Sequence, residues 1–330
     1  LSGRTANVQV TSSAGSVGAG TKVRIRGLNS FSLSNEPIYY VDGVRMESGS
    51  NSLSVGTGGQ QFSRINDINP EEIESVEIVK GPSAATLYGT QAANGVIRIT
   101  TKRGLGGRTN WNVYSEVGVM NDNNQYPTNY FSWGRAPITN TVLQCPITTA
   151  ASGGCTIDSL TSYNVLMDPA TAINGTGYRG QVGLQVSGGS DQVQYFVSGE
   201  YDDELGHIRL PDAEYTRIAQ ERVVSELPYE QFRPNEVKKV SVRSNLQAQL
   251  QRNLDVAFKT GVVISNGRLP QNDNNVTGTL PSGLFGKGYP GTRAFGSDWG
   301  FFRPGDVFAI LVEQDIGNGV PSAGIEYYLP

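Results

Sequence analysis

The hydrophobic rhythm of the chain changes near residue 107. Beyond that point apolar and polar residues alternate in segments of roughly ten, the period of a strand whose two faces meet different surroundings. Residues 240–250 place Val240, Val242, Leu246, Ala248 and Leu250 on one face, and Ser241, Arg243, Asn245, Gln247 and Gln249 on the other. Residues 254–264 set Leu254, Val256, Phe258, Val262 and Ile264 against Asp255 and Lys259. Residues 111–119, 178–186 and 193–201 behave alike, with Glu116, Gln181, Gln185, Gln194 and Glu200 on their polar faces. Phe196 is the exception, an aromatic on a polar face. Tilted strands of this length cross a bilayer. A soluble antiparallel sandwich alternates in the same way. The connections favour a barrel. Those near 188–192 and 251–253 are short, and those at 121–177, 202–239 and from 265 onward are long. Outer-membrane barrels alternate short turns and long loops in this manner, and a sandwich has no need to.

Before residue 107 short strands mix with helical turns. Asn69-Pro70-Glu71-Glu72 reads as a helix start, with Asn69 as N-cap and Pro70 in the first helical position. The two glutamates then complement the helix dipole. A strand over 76–80, a Gly81-Pro82 turn, a small helical turn and a strand over 96–101 follow. Val23-Arg24-Ile25-Arg26-Gly27 and the segment 39–46, with an Asp42-Gly43 turn, complete the motif set. In this order the motifs resemble the plug domain of TonB-dependent outer-membrane transporters, with the nearest likeness to the SusC/RagA type.

That resemblance implies an α+β plug domain over residues 1–107, followed over 108–330 by antiparallel β-strands of an incomplete transmembrane β-barrel, about five strands of a barrel that has about twenty-two. It implies the outer membrane of a Gram-negative bacterium and import of a glycan or peptide into the periplasm. The implied partners are the TonB-ExbB-ExbD energy-transducing complex, acting through a segment upstream of Leu1, and a SusD-like surface lipoprotein as lid. Two other readings stay open: a surface receptor or adhesin on the same scaffold, and a soluble β-rich binding protein. The start at Leu1-Ser2-Gly3-Arg4 and a C-terminus, residues 324–330, without an obvious terminal element lead us to expect a piece of a longer chain.

Composition narrows this further. The net charge of −4 and 17% charged residues argue against a binder of nucleic acid, which shows a basic face. No apolar run approaches the roughly 18 residues of a spanning helix, so a membrane crossing has to be made by strands. His207 is the single histidine, and no G-x-S-x-G or H-E-x-x-H motif occurs. The expectation is no enzyme, no metal and no cofactor. Cys145 and Cys155 are the two cysteines, open to two readings, a disulfide made in the periplasm or a pair of free thiols.

Candidate site residues fall in two groups. Arg24 and Arg26 alternate with the apolar residues of their strand. In the resembled family plug arginines meet acidic groups of the inner wall, for which Glu116, Glu200 and Asp255 are the candidates. For solute contact the resemblance points to the Gly/Ser-rich plug insertion, with Ser48, Asn51, Gln60 and Gln61; stacking chemistry adds loop aromatics able to hold sugars or peptide side chains, with Tyr130, Trp133 and Trp299, which could instead pack the loops together or against a lid.

Overall fold

The computed structural model describes residues 5–12, 15–28, 35–46, 63–169 and 171–270, with Leu280, Leu284 and the backbone of Gly324–Tyr328. The first unit is built on a four-stranded sheet of β3 (Ile38–Val41), β4 (Val44–Met46), β5 (Ile73–Val79) and β6 (Val96–Thr101), in the order β4-β3-β6-β5. A hairpin of β1 (Val8–Ser12) and β2 (Thr21–Ile25) packs on it. Val23, Ile25, Tyr39, Val41, Met46, Ile97 and Ile99 form the core between them. Helix α1 (Pro82–Tyr88) is seated on the sheet through Ala84, with Tyr40 and Tyr88 rings 5.1 Å apart. The helix expected at Asn69 is a single 3-10 turn, Pro70–Glu72. Asn69 does cap it, accepting from the Glu71 N–H at 2.8 Å. The β-branched run that follows pairs with β6 and ends the turn after three residues.

The second unit is a wall of long antiparallel strands: β7 (Gly107–Asn121), β11 (Thr176–Gly189), β12 (Val193–Leu205), β13 (Glu236–Gln251), β14 (Leu254–Arg268) and β15 (Gly324–Tyr328). The order β15-β14-β13-β12-β11-β7 is linear, so the sheet does not close. All five expected strands are present and run longer than their patterns. The sixth, β15, lies where no terminal element is expected.

The wall has its polarity reversed relative to a soluble sheet. Val117 is 81% exposed and Val242 50%, and Val197, Leu246, Val256 and Phe258 share that outer face. Gln185, at 5%, and Ser198, at 2%, are buried on the inner face with Glu200, Asp202, Lys239, Ser241 and Asn245. An apolar strip this long in water would mark a partner or a lipid surface. Outward apolar and inward polar residues on tilted antiparallel strands match the lipid and lumen faces of a membrane barrel. Phe196 is turned inward and is 2% exposed, shielded by the seam between the two units.

The long connections hold structure that the sequence pattern does not announce. Between β7 and β11 lies a separate sheet of β8 (Asn129–Arg135), β9 (Val142–Gln144) and β10 (Thr156–Tyr163), with a short helix α2 (Ile147–Ala151). Between β12 and β13 lie α3 (Asp212–Arg222) and α4 (Tyr229–Phe232). The signs of α3 are Pro211 ahead of it, Asp212 and Glu214 in its first turn, and Arg217 spaced to pair with Glu214 and Glu221.

Candidate functional site at the seam of plug and wall

The first unit rests against the inner face of the wall through a column of polar contacts. Nearest the short-turn end, Asn245 Nδ2 donates to Thr101 Oγ1 at 3.0 Å and to the Lys102 carbonyl at 2.7 Å. One level up is Arg243. Its Nε donates to Glu72 Oε2 at 2.7 Å, and its Nη1 stands 3.9 Å from Asp42 Oδ2. Glu72 is 3% exposed, and its other oxygen accepts from Ser198 Oγ at 2.6 Å. Asp42 is held by Thr101, whose N–H donates to Oδ1 at 3.0 Å, and Lys259 Nζ lies 3.8 Å from the same oxygen. Higher still, Tyr114 accepts from Asn69 Nδ2 at 3.0 Å and donates to Glu200 Oε2 at 2.7 Å. Lys239 Nζ reaches the Asn66 carbonyl at 3.4 Å. Beside this column, near the short-turn end, a cavity of about 600 Å³ is lined by Gln185, Gln194, Gln247, Asn110 and Asn112 together with Lys102 and Arg103.

The contacts of the seam are polar and charged. Its buried charges are paired and hydrogen-bonded, which such groups require to stay ionised away from water. Among the described residues no group of His, Cys, Asp and Glu is arranged to hold a metal.

The ionic contact runs opposite to the expected polarity: acids of the first unit meet bases of the wall. Among the described residues no ion pair joins Arg24 or Arg26 to Glu116, Glu200 or Asp255. Arg24 lies close enough to Glu36 to act on its carboxyl. Arg26, at a positive φ of 62°, lays its guanidinium over Gly81, where an added Cβ would stand 3.2 Å from Nη1. Both of these contacts lie within the first unit. Two of these wall carboxylates have wall partners. Glu116 lies 3.8 Å from Arg179, Glu200 accepts from Tyr114 and Gln181, and Asp255 is exposed near the short turns. The residues that make the contact were legible only in part. Arg243 and Lys259 sit on the polar faces of their strands, whereas Asp42 and Glu72 read as a turn residue and a helix-start acid.

Of the solute-contact candidates, Ser48, Asn51, Gln60, Gln61 and Trp299 lie outside the described residues. Tyr130 and Trp133 lie on β8 and point to opposite faces of its sheet, as their odd spacing requires. Tyr130 is exposed, and Trp133 Nε1 donates to Thr161 Oγ1 at 2.8 Å with its ring 6.3 Å from Phe131. Cys145 and Cys155 are joined, with Cα atoms 5.9 Å apart and a sequence separation of 10. Replacing both by Ser is expected to cost this small sheet about 3 kcal/mol through restored loop entropy. Faster hydrogen exchange across the Trp133–Ser159 pairing would register it; unchanged exchange would show that the sheet stands without the bridge.

At the long-loop end, Asp122 gathers Tyr126, Asn124 and Asn174. Burial alone would raise the Asp122 carboxyl, but the hydrogen bonds from Tyr126 and Asn124 outweigh it and hold it below its ordinary range. Burial and that carboxylate push the Tyr126 hydroxyl up to about 12. Burial lowers His207, with Asp122 opposing and Arg233 adding to the shift. A lowered histidine is favoured neutral in the folded state. Its contribution is full above its ordinary value of 6.5 and is lost as pH falls through the folded value. Acidification below that value is therefore expected to lower the protection of the Gly175 amide relative to its intrinsic exchange rate at the same pH; this amide donates to the His207 carbonyl at 2.8 Å. His207→Gln should remove the dependence; an equal pH response in that variant would assign it elsewhere.

Known proteins resemble this chain in sequence and in fold. The family profile described as TonB-dependent Receptor Plug Domain matches residues 1–96. A TonB-dependent receptor of Formosa agariphila is 32% identical over 219 residues, covering 66% of this chain and 19% of the relative. The TonB-dependent receptor SusC of Bacteroides thetaiotaomicron is 38% identical over 109 residues, 33% of this chain and 10% of that protein. In fold, the chain is similar to the RagAB peptide importer in its closed-closed state, with a TM-score of 0.55 at 22% identity, over 81% of this chain and 28% of that one. The chain spans about a fifth of the length of that Formosa agariphila receptor. The family is a class of transporters, not of catalysts. Plug match, wall polarity and relatives agree: the chain belongs to the TonB-dependent receptor family of Gram-negative outer membranes and closely resembles its SusC/RagA-type transporters, with a plug domain and barrel strands.

Proposed function

We propose that this chain is the plug, residues 1–107, and the first strands of the barrel, residues 108–330, of a transporter that imports a glycan or a peptide across the outer membrane. The observation that carries the reading is a wall apolar outside and polar inside, with plug carboxylates seated on its inner bases. In this reading the plug blocks the lumen. The TonB-ExbB-ExbD complex supplies the force that shifts it, and a SusD-like lipoprotein covers the loops. The solute rests on the plug insertion and the loop aromatics, with Tyr130 and Trp133 among its contacts. Support for a glycan or peptide comes from the relatives, one named SusC and one described as a peptide importer.

The test is uptake by the full-length receptor in its native cells. Radiolabelled oligosaccharides and oligopeptides should enter in its presence, and entry should stop when the proton gradient is collapsed. Surface binding of either class without gradient-dependent entry would favour the receptor or adhesin reading and sink import.

A further inference from the structure

We infer that Asn235 is a positioning residue of the plug, one that ties the position of the long connections to the plug segment around Val17. The inference rests on the transporter reading for its purpose, though not for its geometry. Asn235 is 0% exposed. Its Oδ1 accepts from the Val17 N–H at 2.9 Å, and its Nδ2 donates to the Val17 carbonyl at 2.8 Å. The same Nδ2 donates to the Arg268 carbonyl at 3.0 Å. A carboxamide sets a donor beside an acceptor, so one side chain pairs with Val17 as a neighbouring strand would. No hydroxyl or carboxylate can do both at that spacing.

The surroundings keep this amide in place. The Gly206 N–H donates to the Asn235 carbonyl at 2.8 Å, and a Cβ at Gly206 would run into Asn235 Oδ1. On the plug side, Asn66 Nδ2 donates to the Ala19 carbonyl at 3.2 Å, so the Val17 segment is braced from both flanks.

The loop that carries Asn235 is a packed body. Ile208, Leu210, Ile218, Ala219 and Leu227 share a core with Ile173 of the preceding connection. Backbone bonds from Leu210 to Phe232 and from Arg209 to Ile173 join its limbs. A displacement of this body by a solute or lid therefore reaches Asn235, and the two bonds to Val17 carry it to the plug.

The experiment is hydrogen exchange resolved at Val17 in the purified full-length receptor. Asn235→Ala is expected to speed that amide about tenfold or more, the effect of losing its acceptor. Gly206→Ala should act in the same direction. Exchange at Thr101, which bonds Asp42 at the far end of the plug, should stay unchanged. Leu210→Ala loosens the loop core without touching the plug. It should speed Val17 in the native background and add nothing once Asn235 is Ala; Ile218→Val is the milder substitute if that variant does not fold. An unchanged Val17 rate in Asn235→Ala, or effects of Leu210→Ala and Asn235→Ala that multiply, would overturn the inference. These readings need no solute and no transport, so they stand or fall separately from the import assay.

Discussion

Arg243→Ala should loosen the plug from the wall by about 3–5 kcal/mol, the cost of leaving buried carboxylates without their cation. Glu72 and Asp42 both look to this guanidinium, and Glu72 is almost wholly shielded from water. Ser198 gives Glu72 one hydrogen bond and Lys259 gives Asp42 some charge, but neither lies between the two acids as Arg243 does. Arg243→Lys should recover only part of the loss, because an ammonium lacks the planar fork that faces two acids at once. The measure is exchange at the Thr101 amide, which reports on Asp42. If Arg243→Ala changed it by less than about 1 kcal/mol, the seam would be held mainly by neutral contacts such as Asn245. A double variant, Glu72→Gln with Arg243→Met, removes both charges and should be milder than Arg243→Ala alone.

The second large effect concerns the outer face. Val242→Arg places a charge at the middle of β13, pointing away from the plug. In a lipid-facing position this should cost about 2–4 kcal/mol, while Leu250→Arg, on the same face near the short turns, should cost about 1 kcal/mol or less. Urea titration of the full-length receptor folded into bilayers measures both. On a water-facing surface each substitution would fall within about 0.5 kcal/mol. Equal, small costs at the two depths would therefore remove the membrane from the account.

The strands were legible because alternation has a period of two whatever lies on either side. The pattern separated two faces along residues 240–250 and 254–264 but not inside from outside. A sandwich and a barrel share it, and only the fold turned Val242 outward and Ser241 inward. The helix α3 was missed because it is short and its stripe of Tyr215, Ile218 and Ala219 completes a core only with Ile208, Leu210 and Leu227. The turn at Pro70 was overread as a helix. Capping signals mark where a helix can start, not how far it runs, and the Ile73–Val79 run belongs to the sheet.

The site divides in the same way. Arg24 and Arg26 were visible as charges out of phase with an apolar strand, but alternation cannot say which surface they face. Asp42 and Glu72 carry local signals, a turn and a capped start, that hid their role across the seam. Asn235 has no local signal at all, since its partner Val17 is 218 residues away. What the sequence by itself determined is the family, five of the six wall strands, the short and long connections and the presence of a plug, because local period and ordered motifs encode these. What only the tertiary structure decided is which charges meet, and that plug acids sit on wall bases, because ion pairs and side-chain clamps depend on how two separately folded surfaces are brought face to face.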